Sequence, residues 1–304
     1  MNIISGNVSK PEIGSASMML CCPSEQHALL YITQFFSKKS IRLEQCSQHL
    51  DSEYVFLRLV WTLTDDWIDE ASFYVDFDQV ASALKAQYDV RFNNRQQSIG
   101  VFISQDTKLL RELLNQGVIY SHFDVAFIAS NNVVLSDFAD RCGVPFFLIE
   151  DDSDSAQSQA KLAKILQRYE PEFLGLFDCF NDFSSDLLSL FSGLVFSVSP
   201  MPLISPGTIE AGDQDRNVYE EEFKHGAKLL GAMTHFVKSS RDCCHLSAGP
   251  IINQSVVPIQ NGHSIADIPD LASEVEIASL STALKLLLEH KVLKFNNRTI
   301  IFDS

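Results

Sequence analysis

Between residues 98 and 199, short apolar runs alternate with amphipathic segments. The runs SIGVFIS, FDVAFIAS, PFFLIE, FLGLF and GLVFSVS are too short for buried helices and rich in β-branched and aromatic residues, which is the signature of strands buried on both faces. Between them, TKLLRELLNQ, VLSDFADRCG and SAQSQAKLAKILQRY carry apolar residues at helical spacing. Strands that follow one another through helices cannot return as hairpins. They require crossovers, and so a mostly parallel sheet with helices on both faces. This α/β pattern fixes the architecture of the larger part of the chain.

The segment before it obeys a different order. SMMLCC reads as a strand, SEQHALLYITQFFSKKS as a helix with Ser24 as its N-cap, and IRLEQCSQHL and YVFLRLVWTL as two further strands. DFDQVASALKAQY reads as a second helix capped by Asp76 or Asp78, and DVRFNN as a closing strand. The order βαββαβ is that of a ferredoxin-like domain. With 304 residues, a two-domain chain is expected. The polar stretch NNRQQS at 93–98 is the expected junction. The reading is therefore a flexible lead over 1–16, a small domain over 17–94 and the parallel-sheet domain over 95–304. The latter continues through a Pro/Ser/Gly-rich loop near 199–217, the helix VYEEEFKHG, the strands KLLGAMTHFV and GPIINQSVVPI, a helix near 270–290 and a terminal hairpin VLKFNNRTIIF.

Composition excludes several functions. With 39 acidic and 23 basic side chains the net charge is −16, which opposes nucleic-acid binding, where phosphates need Lys and Arg. No stretch has the apolar length of a membrane span. The seven Cys are odd in number and form no CxxC, so no disulfide framework is expected, and a reducing cytoplasm fits. The cluster Asp242, Cys243, Cys244 and His245 is dense in reactive types, but adjacent Cys side chains diverge and no second cluster supports a metal site. No metal and no cofactor is expected. Glu220, Glu221 and Glu222 read as a solvated helix face, and Arg298 as a hairpin residue.

Four segments resemble the formyltetrahydrofolate deformylase family. CCPSEQHALLYITQFF resembles the opening Cys-Pro strand and helix of its regulatory ACT domain, and IGVFISQDTKLLRELL the first strand and helix of its formyltransferase-like domain. KLLGAMTHFV with GPIINQSVV is similar to the family's Gly-Ala-x-x-His and Gly-Pro-Ile-Ile strands, and VLKFNNRTIIF to its Asn-Arg-Thr ending. The four occur in matching order across residues 17–302. The resemblance implies an ACT domain followed by a formyltransferase-like domain, and a lineage of enzymes that hydrolyse 10-formyltetrahydrofolate to formate and tetrahydrofolate without a metal.

In that family an Asn donates to the oxyanion, a His places charge and protons, and an Asp activates water. By resemblance these positions fall on Ser197, Ser199 and Ser247. Pro206-Gly207 can be matched in two registers, but 192–206 holds neither Asn nor His in either. A hydroxyl carries no positive charge, and Ser in place of Asp removes the base, so this catalytic set is not intact. His235, Asp242 and His245 are the possible substitutes. His235 reads as a hydrogen-bonded residue at a strand end, and Ser197 and Ser199 show no base or nucleophile-elbow motif beside them. The family's Arg-Tyr-Met run near the folate falls on Asp178, Cys179 and Phe180, which places an acid where a base is usual. The segment between His235 and Gly249 is longer than the family's. In the ACT half, Ser24 replaces an Asp and the ligand-loop Gly is missing.

Three readings remain open: a non-catalytic relative that binds a folate or another small molecule, a hydrolase of a formyl compound working through a rearranged site, and an ACT-type scaffold that pairs with an intact homologue. A homo-oligomer is expected under all three.

Overall fold

The computed structural model describes residues 14–24, 27–51, 53–63, 69–93, 96–104, 107–120, 123–149, 156–177, 191, 193–203, 215–238 and 247–302. Its contacts divide the chain into two compact units. One comprises Met1–Gln96 with Leu286–Phe295 and Ile300–Ser304, the other Gln97–Lys285 with Asn296–Thr299. Most of the C-terminal hairpin thus groups with the N-terminal unit, whereas the sequence reading ran the second domain unbroken from 95 to 304.

The first unit is built from strand β1 (Ser15–Pro23), helix α1 (Ala28–Lys38), strands β2 (Leu43–Leu50) and β3 (Tyr54–Thr62), helix α2 (Glu70–Leu84) and strand β4 (Gln87–Phe92). The sheet order β2-β3-β1-β4 is antiparallel at every pairing, which is the ferredoxin-like arrangement expected. Residues Ser15 and Ala16 belong to β1 and are buried, so the strand begins inside the segment read as a flexible lead.

Alternation decides what each face of this sheet does. Met18, Leu20, Leu57, Leu59 and Trp61 point to one face, where Phe35 and Phe36 of α1 and Phe73 and Phe77 of α2 close the core. The Phe73 and Phe77 rings stack at 5.6 Å, and Phe35 meets Phe77 edge-on at 5.2 Å. Met19, Cys21 and Phe56 point to the other face, where Phe295, Ile300 and Phe302 cover them.

Two helix starts differ from the sequence reading. The residue before α1 is His27 in the left-handed conformation, with no side-chain cap, so Ser24 does not cap that helix. Helix α2 begins at Glu70 because the Asp69 carboxylate accepts from the Ser72 N–H at 3.0 Å. Asp76 instead pairs with Lys39.

The second unit contains β5 (Gln97–Ile103), α3 (Thr107–Ile119), β6 (Phe123–Ser130), α4 (Val134–Cys142), β7 (Phe146–Leu148), α5 (Ala156–Tyr169), β8 (Phe173–Phe177) and β9 (Leu194–Pro200). It continues with α6 (Asp215–Lys224), β10 (Leu229–Lys238) and β11 (Ser247–Pro258), and holds most of α7 (Ile268–Leu288). The terminal hairpin is β12 (Val292–Phe295) and β13 (Arg298–Ile301). The seven-stranded sheet runs β11-β10-β9-β8-β5-β6-β7. Strands β9, β8, β5, β6 and β7 are mutually parallel, and β10 and β11 add an antiparallel edge. The parallel strands are the apolar runs of the sequence, and Phe102, Phe127, Leu174 and Leu176 pack against Leu162, Ile165 and Leu166 of α5. No helix among the described residues is long and apolar enough to cross a membrane.

Candidate functional site at the carboxyl end of β9

In an open parallel sheet, helices cover both faces and leave the carboxyl ends of the strands as the place where side chains from successive strands meet a ligand. Ser197 and Ser199 lie at that end of β9. Two residues apart on one strand, they share a face of the sheet.

The antiparallel partner β10 supplies the imidazole. Its register sets His235 directly opposite Ser197 and Met233 opposite Ser199, so His235 and Ser199 are diagonal neighbours, within reach of a long side chain. Register shifts flank His235 in its pairing with β11, between Thr234 and His235 and again between His235 and Val237. Such irregularities re-aim a side chain and recur beside functional sites. At Gly231 the strand lies so close to the chain leaving β9 that an added Cβ would sit 2.6 Å from Met201 Cε and 3.1 Å from its carbonyl oxygen. The Met201 N–H donates to the Gly231 carbonyl at 2.8 Å, which ties the end of β9 to β10.

Ser199 Oγ lies 3.0 Å from His235 Nε2. The other ring nitrogen, Nδ1, lies 2.9 Å from the Phe236 carbonyl oxygen. A carbonyl oxygen can only accept, so Nδ1 carries the proton in the neutral ring. Nε2 is then the basic nitrogen and Ser199 the donor. His235 is buried and Ser199 part-exposed. Ser197 is buried, and its hydroxyl donates to the Val198 carbonyl at 3.3 Å, a long bond.

On the opposite face of β10, Thr234 Oγ1 and Ser279 Oγ of α7 are 2.9 Å apart, and Asn253 Nδ2 reaches the Ser279 carbonyl at 3.4 Å. This buried polar seam fixes the strand that carries His235.

The sequence expectations fare unevenly. Ser199 does have a base beside it, contrary to the expectation of none. His235 is not at a strand end but inside β10, between two irregularities. The signal missed was the adjacency of β9 and β10, on which hydrophobic periodicity is silent. Ser247 is the first residue of β11, and its backbone pairs with Lys238, three residues beyond His235. Asp242, Cys243, Cys244 and His245 lie outside the described residues, as do Asp178, Cys179 and Phe180. Glu222 is not solvated: it is buried, and its carboxylate accepts from the Leu203 N–H, anchoring the chain after β9. Glu221 pairs with Lys224 at the surface, at 2.7 Å. Among the described residues no group of three or more His, Cys, Asp or Glu side chains could hold a metal ion.

No family model matches the chain. Individual proteins do. The formyltetrahydrofolate deformylase of Synechocystis sp. is 24% identical over 295 residues, covering 95% of this chain and 98% of that protein. The crystal structure of a formyltetrahydrofolate deformylase from Pseudomonas putida KT2440 superposes with a TM-score of 0.81 at 21% identity, covering 95% of this chain and all of that one. A glycinamide ribonucleotide transformylase 1 from Symbiobacterium toebii superposes over 68% of this chain and 95% of its own, with a TM-score of 0.55 at 23% identity.

Proposed function

The chain belongs to the formyltetrahydrofolate deformylase family, and from that premise we propose that it binds a folate or other formyl-carrying small molecule at the carboxyl end of β9 without running the family's direct attack of water on the formyl group. The observation that carries this reading is the side-chain set at the strand end. Hydroxyls of Ser197 and Ser199 stand where resemblance puts an amide donor and an imidazole, and among the described residues the imidazole beside them, that of His235, bonds with Ser199 and with the Phe236 carbonyl. Loss of a general base costs about 10²–10⁴ in rate, and loss of an oxyanion donor about 10²–10³. The two need not multiply, but either leaves little turnover. The setting is one-carbon metabolism in the cytoplasm, with the chain as a homo-oligomer. Pairing with an intact homologue is the scaffold variant of the same reading, and co-purification tests it.

The direct test is an assay of 10-formyltetrahydrofolate conversion by the purified chain, alongside titration with a stable folate analogue. Binding without conversion above background is expected. Robust turnover abolished by His235→Ala or Asp242→Ala would overturn the proposal in favour of a rearranged-site hydrolase. The contact between Ser199 and His235 is the one observation that favours this second reading.

A further inference from the structure

We propose that Ser199 is a nucleophile for acyl transfer, with His235 as its general base, acting on small activated acyl esters. The proposal does not depend on folate binding, and it rests on four observations.

The hydroxyl and the basic ring nitrogen are in hydrogen-bond contact at 3.0 Å, the reach a nucleophile and its base require. The tautomer is the productive one, because the Phe236 carbonyl holds the proton on Nδ1 and leaves Nε2 to accept. The ring is held in a buried strand between two irregularities while the hydroxyl it activates is part-exposed, so a reagent can reach the oxygen but the base is fixed. The pair stands at the carboxyl edge of a parallel sheet, where ligands of such folds bind. A Ser–His contact serving only to satisfy buried groups needs no part-exposed hydroxyl, since water would satisfy that hydroxyl equally well.

The chemistry balances without a co-reactant. The Ser199 Oγ–H proton passes to His235 Nε2 as Oγ bonds to the acyl carbon. The bond from that carbon to the leaving oxygen breaks, and the imidazolium returns the proton to the leaving alcohol. Water then hydrolyses the acyl-serine to the free acid and restores the hydroxyl.

One feature sets the substrate class. The residue after Ser199 is Pro200, which has no backbone N–H, so the chain cannot offer an oxyanion donor from the position that follows the nucleophile in many acyl-transferring folds. Without that donor, acylation is restricted to esters with good leaving groups, and the return to free enzyme is slow. The acyl-serine therefore accumulates. A formyl amide such as 10-formyltetrahydrofolate demands more of the site than this, in keeping with the absence of conversion proposed above.

The probe is p-nitrophenyl acetate, applied to the full chain after its reactive thiols are blocked with N-ethylmaleimide, because Cys46 and Cys142 are exposed. A burst of one p-nitrophenolate per chain is expected, with one acetyl group located by peptide mass spectrometry on Ser199. Ser199→Ala should abolish both. His235→Gln, which can still hold the Phe236 carbonyl and so preserve the strand, should lower the acylation rate about 10²–10⁴-fold. Circular dichroism verifies that each variant is folded. Acetylation confined to other residues, or a rate unchanged in either folded variant, would overturn the proposal.

Discussion

Each compact unit contains a buried histidine bonded to a serine hydroxyl, and the two pairs are wired in opposite directions. In the second unit, His235 donates through Nδ1 to a backbone carbonyl and accepts at Nε2 from the part-exposed Ser199. In the first unit, His290 Nε2 lies 3.0 Å from the Asp89 carboxylate, so it carries the proton, and Nδ1 accepts from Ser17 at 2.7 Å. By composition the second triplet, Ser17–His290–Asp89, is the better imitation of a hydrolase triad. Yet its serine is sealed under the sheet and its aspartate is the exposed member, so no substrate can reach the hydroxyl. A Ser–His–carboxylate chain is a catalytic device only when the hydroxyl end faces solvent.

The surroundings of His290 show what that pair does instead. His290 adopts the left-handed conformation just past the end of α7, where carbonyls are left without intrahelical partners. Arg58 donates to the carbonyls of His290 and Glu289, each at 2.8 Å, and Arg91 to that of Leu287 at 2.7 Å. Two guanidinium groups at a helix C-terminus also complement its dipole. His290, Ser17 and Asp89 complete a polar plug on the sheet face whose neighbouring patch is sealed by Phe295, Ile300 and Phe302.

Of the substitutions that test this division of labour, the largest effect belongs to Arg58. Arg58→Ala would strand two carbonyls at a buried helix end and remove two charge-assisted bonds, for a loss of about 3 kcal/mol or more. Urea unfolding measures it, and a loss below about 1 kcal/mol would deny the plug its structural role.

Acid should act on the same plug. Burial, with Arg91 and Arg58 nearby, outweighs the attraction of Asp89 and lowers the His290 pKa to about 4 from an ordinary 6.5. The native state therefore resists protonation that the unfolded chain accepts. Stability is full above pH 6.5, falls as pH drops from there toward 4, and levels off below. Integrated over that window, the loss attributable to His290 is about 3 kcal/mol. The Asp89 carboxyl is itself held below the ordinary carboxylate range, chiefly by the His290 N–H, so it contributes only at lower pH. Comparing urea midpoints between pH 7 and pH 5 in the wild type and in His290→Gln isolates the effect, since the variant should lack this slope. An equal slope in both would assign the pH dependence elsewhere.

What the sequence revealed and what it hid follow the same line. Periodicity is local, so YVFLRLVWTL delivered β3 and FLGLF delivered β8, and the two sheet types followed from the order of such runs. Caps depend on one or two atoms, and Asp69 outcompeted Asp76 and Asp78 because only it stands before the first turn. Contacts between distant strands leave no local trace. Arg58 looks like a polar interruption in an apolar strand, and its purpose lies 232 residues away. Ser199 and His235, 36 residues apart, meet only because β10 lies antiparallel beside β9. Resemblance to a family compares positions along the chain, and a contact such as that of Ser199 with His235 is not written in such a comparison.

The smallest effect discriminates most finely between the two pairs. Ser17→Ala removes the hydroxyl bonded to His290 Nδ1 in a buried site, leaving a buried acceptor without that donor, at a cost of about 1–2 kcal/mol. Ser199→Ala deletes the same chemical group from a part-exposed position, where water can take its place on Nε2, so the cost should stay within about 0.5 kcal/mol. Chemical denaturation of the two variants side by side measures the difference, because the substitution is identical and only the setting differs. A Ser199→Ala loss as large as that of Ser17→Ala would mean that the β9 hydroxyl is also a structural plug, and the contrast drawn between the two histidines would fail. A small loss, combined with disappearance of acetylation at Ser199, would separate chemistry from stability in one variant.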